Sequence, residues 1–337
     1  MSGKINVSSN NRRKIHGFVL VLGLLCSAFQ APAGEMLRLE ASAEAMGSPY
    51  SVVLYDEDRD RMEAAAEAVF EEARRLDGLL SNYKPESAWS QVNQSAAERP
   101  VEVPQELFDL LAACVVYSRK SDGAFDITVG PLMKVWGFYK GTGHLASKGE
   151  VKKALASVGY KGLILDAKAH TVRFAKKGME IDPGGIGKGY AVDRMVEILK
   201  EHQIKIGLIS ASGSSIYAMG APPGQRGWKV SVRDPRDESK TVQDIILKDE
   251  SMSTSGSYEK FFEADGKIYA HIMDPRTGFP AQGMLSVSIV TPRTIDSEAW
   301  CKPFFINGRA WASKHKPEGT RAYFCEDKAD QSCVWLQ

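Results

Sequence analysis

The chain has 337 residues, of which 43% are hydrophobic and 25% charged, with 43 basic and 42 acidic side chains and a net charge of +1. That is ordinary for a soluble globular enzyme and allows one large domain or two small ones. There is no low-complexity tract and no internal repeat.

The first 33 residues form a separate segment. Lys4, Arg12, Arg13 and Lys14 precede an apolar run over residues 17–25, and Ala31-Pro-Ala33 follows. A basic start, a short apolar core and an A-x-A site make a secretory signal peptide. The run is shorter than the ~20 residues a membrane span needs. Arg12-Arg13 leaves twin-arginine export open beside the general route. Lipidation of Cys26 is disfavoured by the large Leu25 before it. Cleavage after Ala33 removes four basic residues and no acidic one, so residues 34–337 carry a net charge near −3. No basic cluster survives, which argues against a nucleic-acid partner. In an oxidising compartment Cys325 and Cys333 can bridge; free buried thiols are the alternative. No C-x-x-C spacing points to zinc.

Residues 37–55 read as a strand pair broken around Met46-Gly-Ser-Pro49. Residues 61–80 form a helix, with Ala66, Val69, Phe70, Ala73 and Leu76 at helical spacing; residues 81–87 are a loop. Pro104 opens a second helix through Tyr117, ended by Ser121-Asp-Gly123. Residues 149–158 are a shorter helix, and residues 163–165 and 172–174 short strands. Val192, Met195, Val196 and Leu199 continue a helix that begins inside a glycine-rich run. Residues 206–218 and 228–232 read as strands. Asp265-Gly266 signals a hairpin between residues 258–263 and 268–273. Residues 286–291 are a strand stopped by Pro292, and Asp296 starts a short helix that Pro303 limits. Without a βαβ rhythm this is an α+β fold: one two-lobed domain of mixed or antiparallel sheets flanked by helices.

The glycine-rich run is Ile181-Asp-Pro-Gly-Gly-Ile-Gly-Lys-Gly-Tyr-Ala-Val-Asp193. It is not a P-loop, because Gly189 follows Gly187-Lys188 and Asp182 stands at the first glycine. Nor is it a dinucleotide fingerprint, because Tyr190 replaces the third glycine. A glycine turn feeding a helix N-terminus still offers N–H groups to an anion, and Lys188 adds a charge. A tight turn with a solvated lysine is the alternative. Asp182 suits a sugar hydroxyl, a base edge or a metal rather than a phosphate. His271 leaves the hairpin face that carries Ala270 and Ile272; it is a general-base candidate or a structural strand histidine. Met252-Ser-Thr-Ser-Gly-Ser-Tyr258 and Gly123-Ala-Phe-Asp-Ile-Thr-Val-Gly-Pro131 read as polar loops able to meet phosphate or ribose. Glu298 and Lys302 lie four apart on a helix, as a surface ion pair or with Glu298 as a metal ligand.

In order, six runs resemble the flavin transferase family, the FAD:protein FMN transferases or ApbE family. They are Ala45-Met-Gly-Ser48; Leu80-Ser-Asn-Tyr83 with Ser87; Gly123-Ala-Phe-Asp126; the run from Asp182 to Asp193; Ser253-Thr-Ser-Gly256; and His271-Ile-Met-Asp-Pro-Arg-Thr-Gly278. The resemblance spans roughly residues 37–308 and implies an ApbE-like fold with FAD as substrate. Family members cleave its pyrophosphate, move FMN onto a threonine hydroxyl of a target flavoprotein as a phosphoester, and release AMP. The implied partners are FAD and a redox-pump subunit or other extracytoplasmic flavoprotein, with membrane proximity through that target; the implied location is the periplasm. On matching positions, Met46, Tyr83, Ala124, Phe125, Asp126, Asp182, Lys188 and Ile272 would line FAD. His271 would deprotonate the threonine, and Lys188 would stabilise charge on the pyrophosphate.

The family's magnesium (Mg2+) site pairs a glycine-loop carbonyl with an Asp and a Thr four residues apart. Here those positions are Gly185, Glu298 and Lys302. A protonated lysine is no ligand, so either the site shifts towards Asp296 or the Lys302 ammonium replaces the ion. The usual paired-glycine segment reads Ser212-Gly-Ser-Ser-Ile216. Two alternatives to transfer remain: an FAD pyrophosphatase giving FMN and AMP, and a non-catalytic periplasmic flavin-binding protein.

Overall fold

A computed structural model describes residues 35–141, 143–328 and 333–336; the signal peptide expected over residues 1–33 lies outside them. The chain opens with β1 (Leu37–Ala45) and β2 (Ser48–Asp56), a hairpin whose Met46–Gly47 turn holds both residues at positive φ, 52° and 65°. Such a turn matches the twist of its strands. Helix α1 (Arg59–Leu80) is capped by the Asp58 carboxylate, which accepts from Arg61 N–H at 3.0 Å. A helix missing from the sequence reading follows: α2 (Ala88–Ser95), capped by Ser87. Next come β3 (Val101–Glu102), α3 (Gln105–Lys120), α4 (Gly130–Val135), α5 (Lys148–Leu155), β4 (Leu163–Asp166) and β5 (Thr171–Phe174). The three strands form a small sheet in the order β3-β5-β4.

Helix α6 (Gly187–Glu201) starts in the glycine run and leads to β6 (Ile206–Ala211) and β7 (Ser215–Met219). These two are a hairpin, not the single strand expected over residues 206–218. Ser212 and Gly213 turn the chain at φ 55° and 69°. Then β8 (Trp228–Arg233) and β9 (Thr241–Leu247) pair as a ribbon. Strand β10 (Glu250–Gly256) replaces the expected hydroxyl-rich loop. The ribbon β11 (Phe261–Ala264) and β12 (Lys267–Ala270) turns at Asp265–Gly266, as its sequence signals. The chain ends with β13 (Met284–Thr291), α7 (Thr294–His315), β14 (Arg321–Glu326) and β15 (Cys333–Trp335).

Eight strands form the central sheet in the order β1-β2-β6-β7-β10-β13-β14-β15, and every pairing among the described residues is antiparallel. Helices α1, α6 and α7 cover one face. The β8–β9 ribbon covers the other, placing Trp228, Val230, Ile245 and Leu247 on Ile216, Ala218, Met252 and Val290. Strand β10 is therefore buried on both sides, and its serines have a structural task. Ser251 and Ser253 meet Ser297 of α7 at 3.1 and 2.8 Å, so small hydroxyls satisfy one another while the helix lies close.

Helix α7 runs through Pro303 instead of stopping there. An internal proline costs ~3 kcal/mol. Trp300, Phe304 and Phe305 are all buried by this helix, at roughly 1.5–3 kcal/mol each, which outweighs that cost. Cys325 and Cys333 form a disulfide, while Cys114 and Cys301 are free and buried. No helix among the described residues is long and apolar enough to cross a membrane.

Candidate active site

The glycine turn is held from both sides. Before it, Ile181 N–H donates to Asn93 Oδ1 at 2.7 Å, and Ile181 O accepts from Trp89 Nε1 and Asn93 Nδ2 at 3.0 and 2.9 Å. The unforeseen helix α2 thus anchors the entry. After it, α6 and α7 cap each other. The Glu298 carboxylate, 3% exposed, accepts from Gly189 N–H in the first turn of α6. The Asp193 carboxylate accepts from the N–H groups of Thr294 and Ile295 in the first turn of α7, at 2.7 and 2.9 Å. Each carboxylate sits at the positive end of a helix dipole. Gly189 is needed at the crossing, since a Cβ there would come within 2.5 Å of Thr294 O.

This seam limits the anion-binding reading of the turn. Gly184 N–H is taken by Asp182 Oδ1, those of Ile186 and Gly187 by Pro183 O, Gly189 by Glu298 and Tyr190 by Ile186 O. Only the N–H groups of Gly185 and Lys188 have no acceptor among the described residues. Lys188 stands in the first helical turn, where its charge opposes the dipole, and its ammonium donates to Ser214 Oγ in the β6–β7 turn. Burial pushes its pKa down, while Glu298 pulls it up.

Opposite the turn lies the cleft that gathers most of the expected residues: Ala124, Phe125, Asp126, Asp182, Gly185, His271, Ile272 and Lys302. The Asp182 carboxylate accepts from Asn82 Nδ2 at 2.9 Å and Tyr139 OH at 2.6 Å; burial raises its pKa against these bonds. Tyr83, 73% exposed, stands edge-on to Tyr139 with centroids 6.3 Å apart, which places it on the outer rim. Met46 lies behind the turn: a Cβ on Gly187 would meet its Cε at 3.3 Å. Both Asp126 carboxylate oxygens are engaged, Oδ1 accepting from Thr128 N–H and Thr128 Oγ1 at 2.8 and 2.7 Å and Oδ2 from Tyr160 N–H, 34 residues on, at 2.7 Å. Asp126 shapes the wall and presents no free carboxylate oxygen pair to the cleft.

His271 follows β12. Its N–H and its ring Nδ1 both reach Lys260 O, at 2.9 and 3.2 Å. With Nδ1 as donor, Nε2 is left as the acceptor. The ring lies 6.5 Å from the Phe138 ring, edge-on. Burial first, and then the charge of Lys302, pushes its pKa down to about 3.

The chain matches the ApbE family over residues 46–324. It belongs to that family. It is 33% identical over 296 residues to a Klebsiella pneumoniae (strain 342) protein named FAD:protein FMN transferase, covering 86% of this chain and 89% of that one. A Treponema pallidum protein of the same name is 35% identical over 260 residues, covering 73% and 72%. The ApbE protein of Thermotoga maritima has a TM-score of 0.80 at 30% identity, covering 89% of this chain and 96% of that one. For the apo flavinyl transferase ApbE of Pseudomonas stutzeri the TM-score is 0.78 at 28% identity, with 89% and 94% covered.

The magnesium set expected from the ApbE resemblance fits poorly here. The Lys302 stem lies across the glycine turn, with Cε 3.7 Å from where a Gly185 Cβ would be. A dication bound at that turn would be repelled by the ammonium beside it. Glu298 is neither a surface residue nor an ion-pair partner of Lys302; it is committed to Gly189 N–H. The shift towards Asp296 is ruled out by position. Asp296 accepts from Tyr117 OH at 2.5 Å and from Arg293 Nε at 2.8 Å, and it lines a different pocket with Thr291 and His315. Among the described residues no three His, Cys, Asp or Glu side chains gather as a metal site.

Sequence reasoning passed over Asn82, Ser214, Tyr139 and Lys260, which orient Asp182, Lys188 and His271. Asn82 and Ser214 sit inside runs already singled out. The Lys260 carbonyl continues the ladder of the hairpin signalled by Asp265-Gly266, while Tyr139 carries no local signal, because it meets Asp182 only across the cleft.

Proposed function

We propose that this chain transfers FMN from FAD to a threonine hydroxyl of an acceptor flavoprotein, releasing AMP, and that it does so outside the cytoplasm. One observation carries the chemistry: a histidine with a bare Nε2 shares a cleft with a glycine turn flanked by two lysines. In the reaction the threonine Oγ bonds to the flavin-side phosphorus, and the hydroxyl proton goes to His271 Nε2. The P–O bond to the adenylyl phosphate breaks, and AMP leaves with that electron pair. Lys188 and Lys302 offset charge gathering on the phosphates. Phe125 and Ile272 offer apolar wall, and Tyr83 an exposed ring at the rim, for the aromatic parts of FAD. In the free site His271 is neutral but weakly basic. Pyrophosphate bound beside Lys188 and Lys302 offsets the charges that add to burial in depressing the imidazole, so substrate restores part of the ring's basicity.

The basic-apolar pattern of residues 1–33 and the Cys325–Cys333 bridge both support an extracytoplasmic setting. The acceptor would then be a redox-pump subunit or another extracytoplasmic flavoprotein, some of them at the membrane. The deciding assay incubates the protein with FAD and a threonine peptide taken from such an acceptor. Flavin covalently bound to the peptide, with one AMP per transfer, is the expected outcome. Free FMN without labelled peptide would replace the reading by FAD hydrolysis, and intact bound FAD would replace it by flavin storage.

A further inference from the structure

We propose that the Lys302 ammonium stands in for a divalent cation at the pyrophosphate, so that this chain holds FAD and moves FMN without a metal. The inference rests on the transfer reading above. Neither Lys188 nor Lys302 joins an ion pair among the described residues. Both flank the glycine turn, and the charge of each reaches His271. Lys302 also lowers the pKa of Lys188, so the two ammonium groups repel. Two ammonium groups that repel each other beside a turn, neither held in an ion pair, form a site for a polyanion.

Glu298 offsets part of that charge at Lys188, yet it forms no ion pair with either lysine. Glu298 is buried and accepts from Gly189 N–H, so it serves as the cap that holds α6 against α7. That cap also sets where Lys302 goes, because Lys302 is one helical turn beyond Glu298 on α7. Gly185 completes the fit. Having no Cβ, it lets the lysine stem and the Phe125 ring lie on the backbone of the turn, 3.7 and 3.3 Å from the missing atom. A charge delivered this way reaches the phosphates that bridge the turn. Unlike a bound ion it cannot be removed by a chelator.

The test uses the full exported chain with FAD and the acceptor peptide, in EDTA and in magnesium. FAD affinity is read by flavin fluorescence and transfer by peptide labelling. The expected result is the same affinity and rate in both buffers. Lys302→Thr should lose about 10²-fold in transfer in EDTA, together with FAD affinity, and regain both in magnesium. Lys302→Arg should remain indifferent to the metal, and thermal melting checks that each variant is folded. A wild-type protein that needs magnesium to bind FAD overturns the proposal, as does Lys302→Thr binding FAD normally in EDTA. Tight FAD binding with no labelled peptide in either buffer would instead sink the transfer reading, while the affinity comparison still decides the role of Lys302.

Discussion

The two sides of the cleft are built differently. The glycine turn belongs to the sheet body: its helix is capped by a buried carboxylate from α7, α7 is capped in return by Asp193, and Gly189 permits the crossing. His271 hangs from a ribbon of two four-residue strands, β11 and β12. A two-stranded ribbon is marginal by itself. This one is held by aromatic rings: Phe262 and Tyr269 stack at 5.2 Å and Trp136 stacks on Tyr269 at 5.8 Å, while Phe261 and Ile268 remain exposed. The charged half of the site is therefore rigidly placed, and the base rests on a smaller, separately packed element. Damage to the first should disturb substrate binding and stability together. Damage to the second should disturb the rate alone.

The sharpest break in that comparison is His271→Ala. It should lower transfer by about 10²–10⁴-fold, the usual contribution of a general base, with FAD affinity retained in a fluorescence titration. Parallel loss of affinity would place the ring in the binding wall instead. Lys188→Met comes next. It should cost about 10²–10³-fold in transfer and also weaken FAD, because the same ammonium meets the phosphates before and during reaction.

Gly189→Ala pushes a methyl group into Thr294 O and should cost about 1–3 kcal/mol in urea unfolding; an unchanged midpoint would mean that the seam gives way easily. Phe262→Ala removes a stacked ring worth ~0.5–1.5 kcal/mol, so transfer should fall up to about tenfold with FAD affinity unchanged. The smallest effect is a flat line. With its pKa near 3, His271 is already deprotonated throughout the neutral range. Acid therefore removes the base only as pH falls towards that value, and kcat/KM should show no histidine limb between about pH 5 and pH 8. A limb centred near 6.5 would show that burial and the nearby lysines do not depress the imidazole.

Elements with strong local signals were legible. The apolar stripe of α1, the Pro104 start of α3, the Asp265–Gly266 turn and the helix leaving the glycine run all follow from backbone preference and periodicity. The misreadings share a cause. Met252-Ser-Thr-Ser-Gly-Ser-Tyr258 looks like a loop because serine is polar, yet in β10 the hydroxyls pair with one another inside the protein. Pro303 looks like a stop, yet α7 continues because three aromatic side chains are buried beyond and around it. Helix α2 is too short to show a period, and its role as anchor of Ile181 is a long-range one. In the site, the positions of Lys188, His271 and Asp182 were readable as motifs. The commitment of Glu298 to Gly189, and of Asp126 to Tyr160, was not.

By itself the amino-acid order determined where the chain turns, which stretches are helical, and which residues carry chemistry, because those depend on neighbours within a few positions. Tertiary structure alone decided that a carboxylate 109 residues away caps the glycine helix, that Tyr139 and Asn82 reach Asp182, and that a lysine lies over a turn without a Cβ. Those contacts join groups far apart in the chain, and no local preference specifies them until the core has packed.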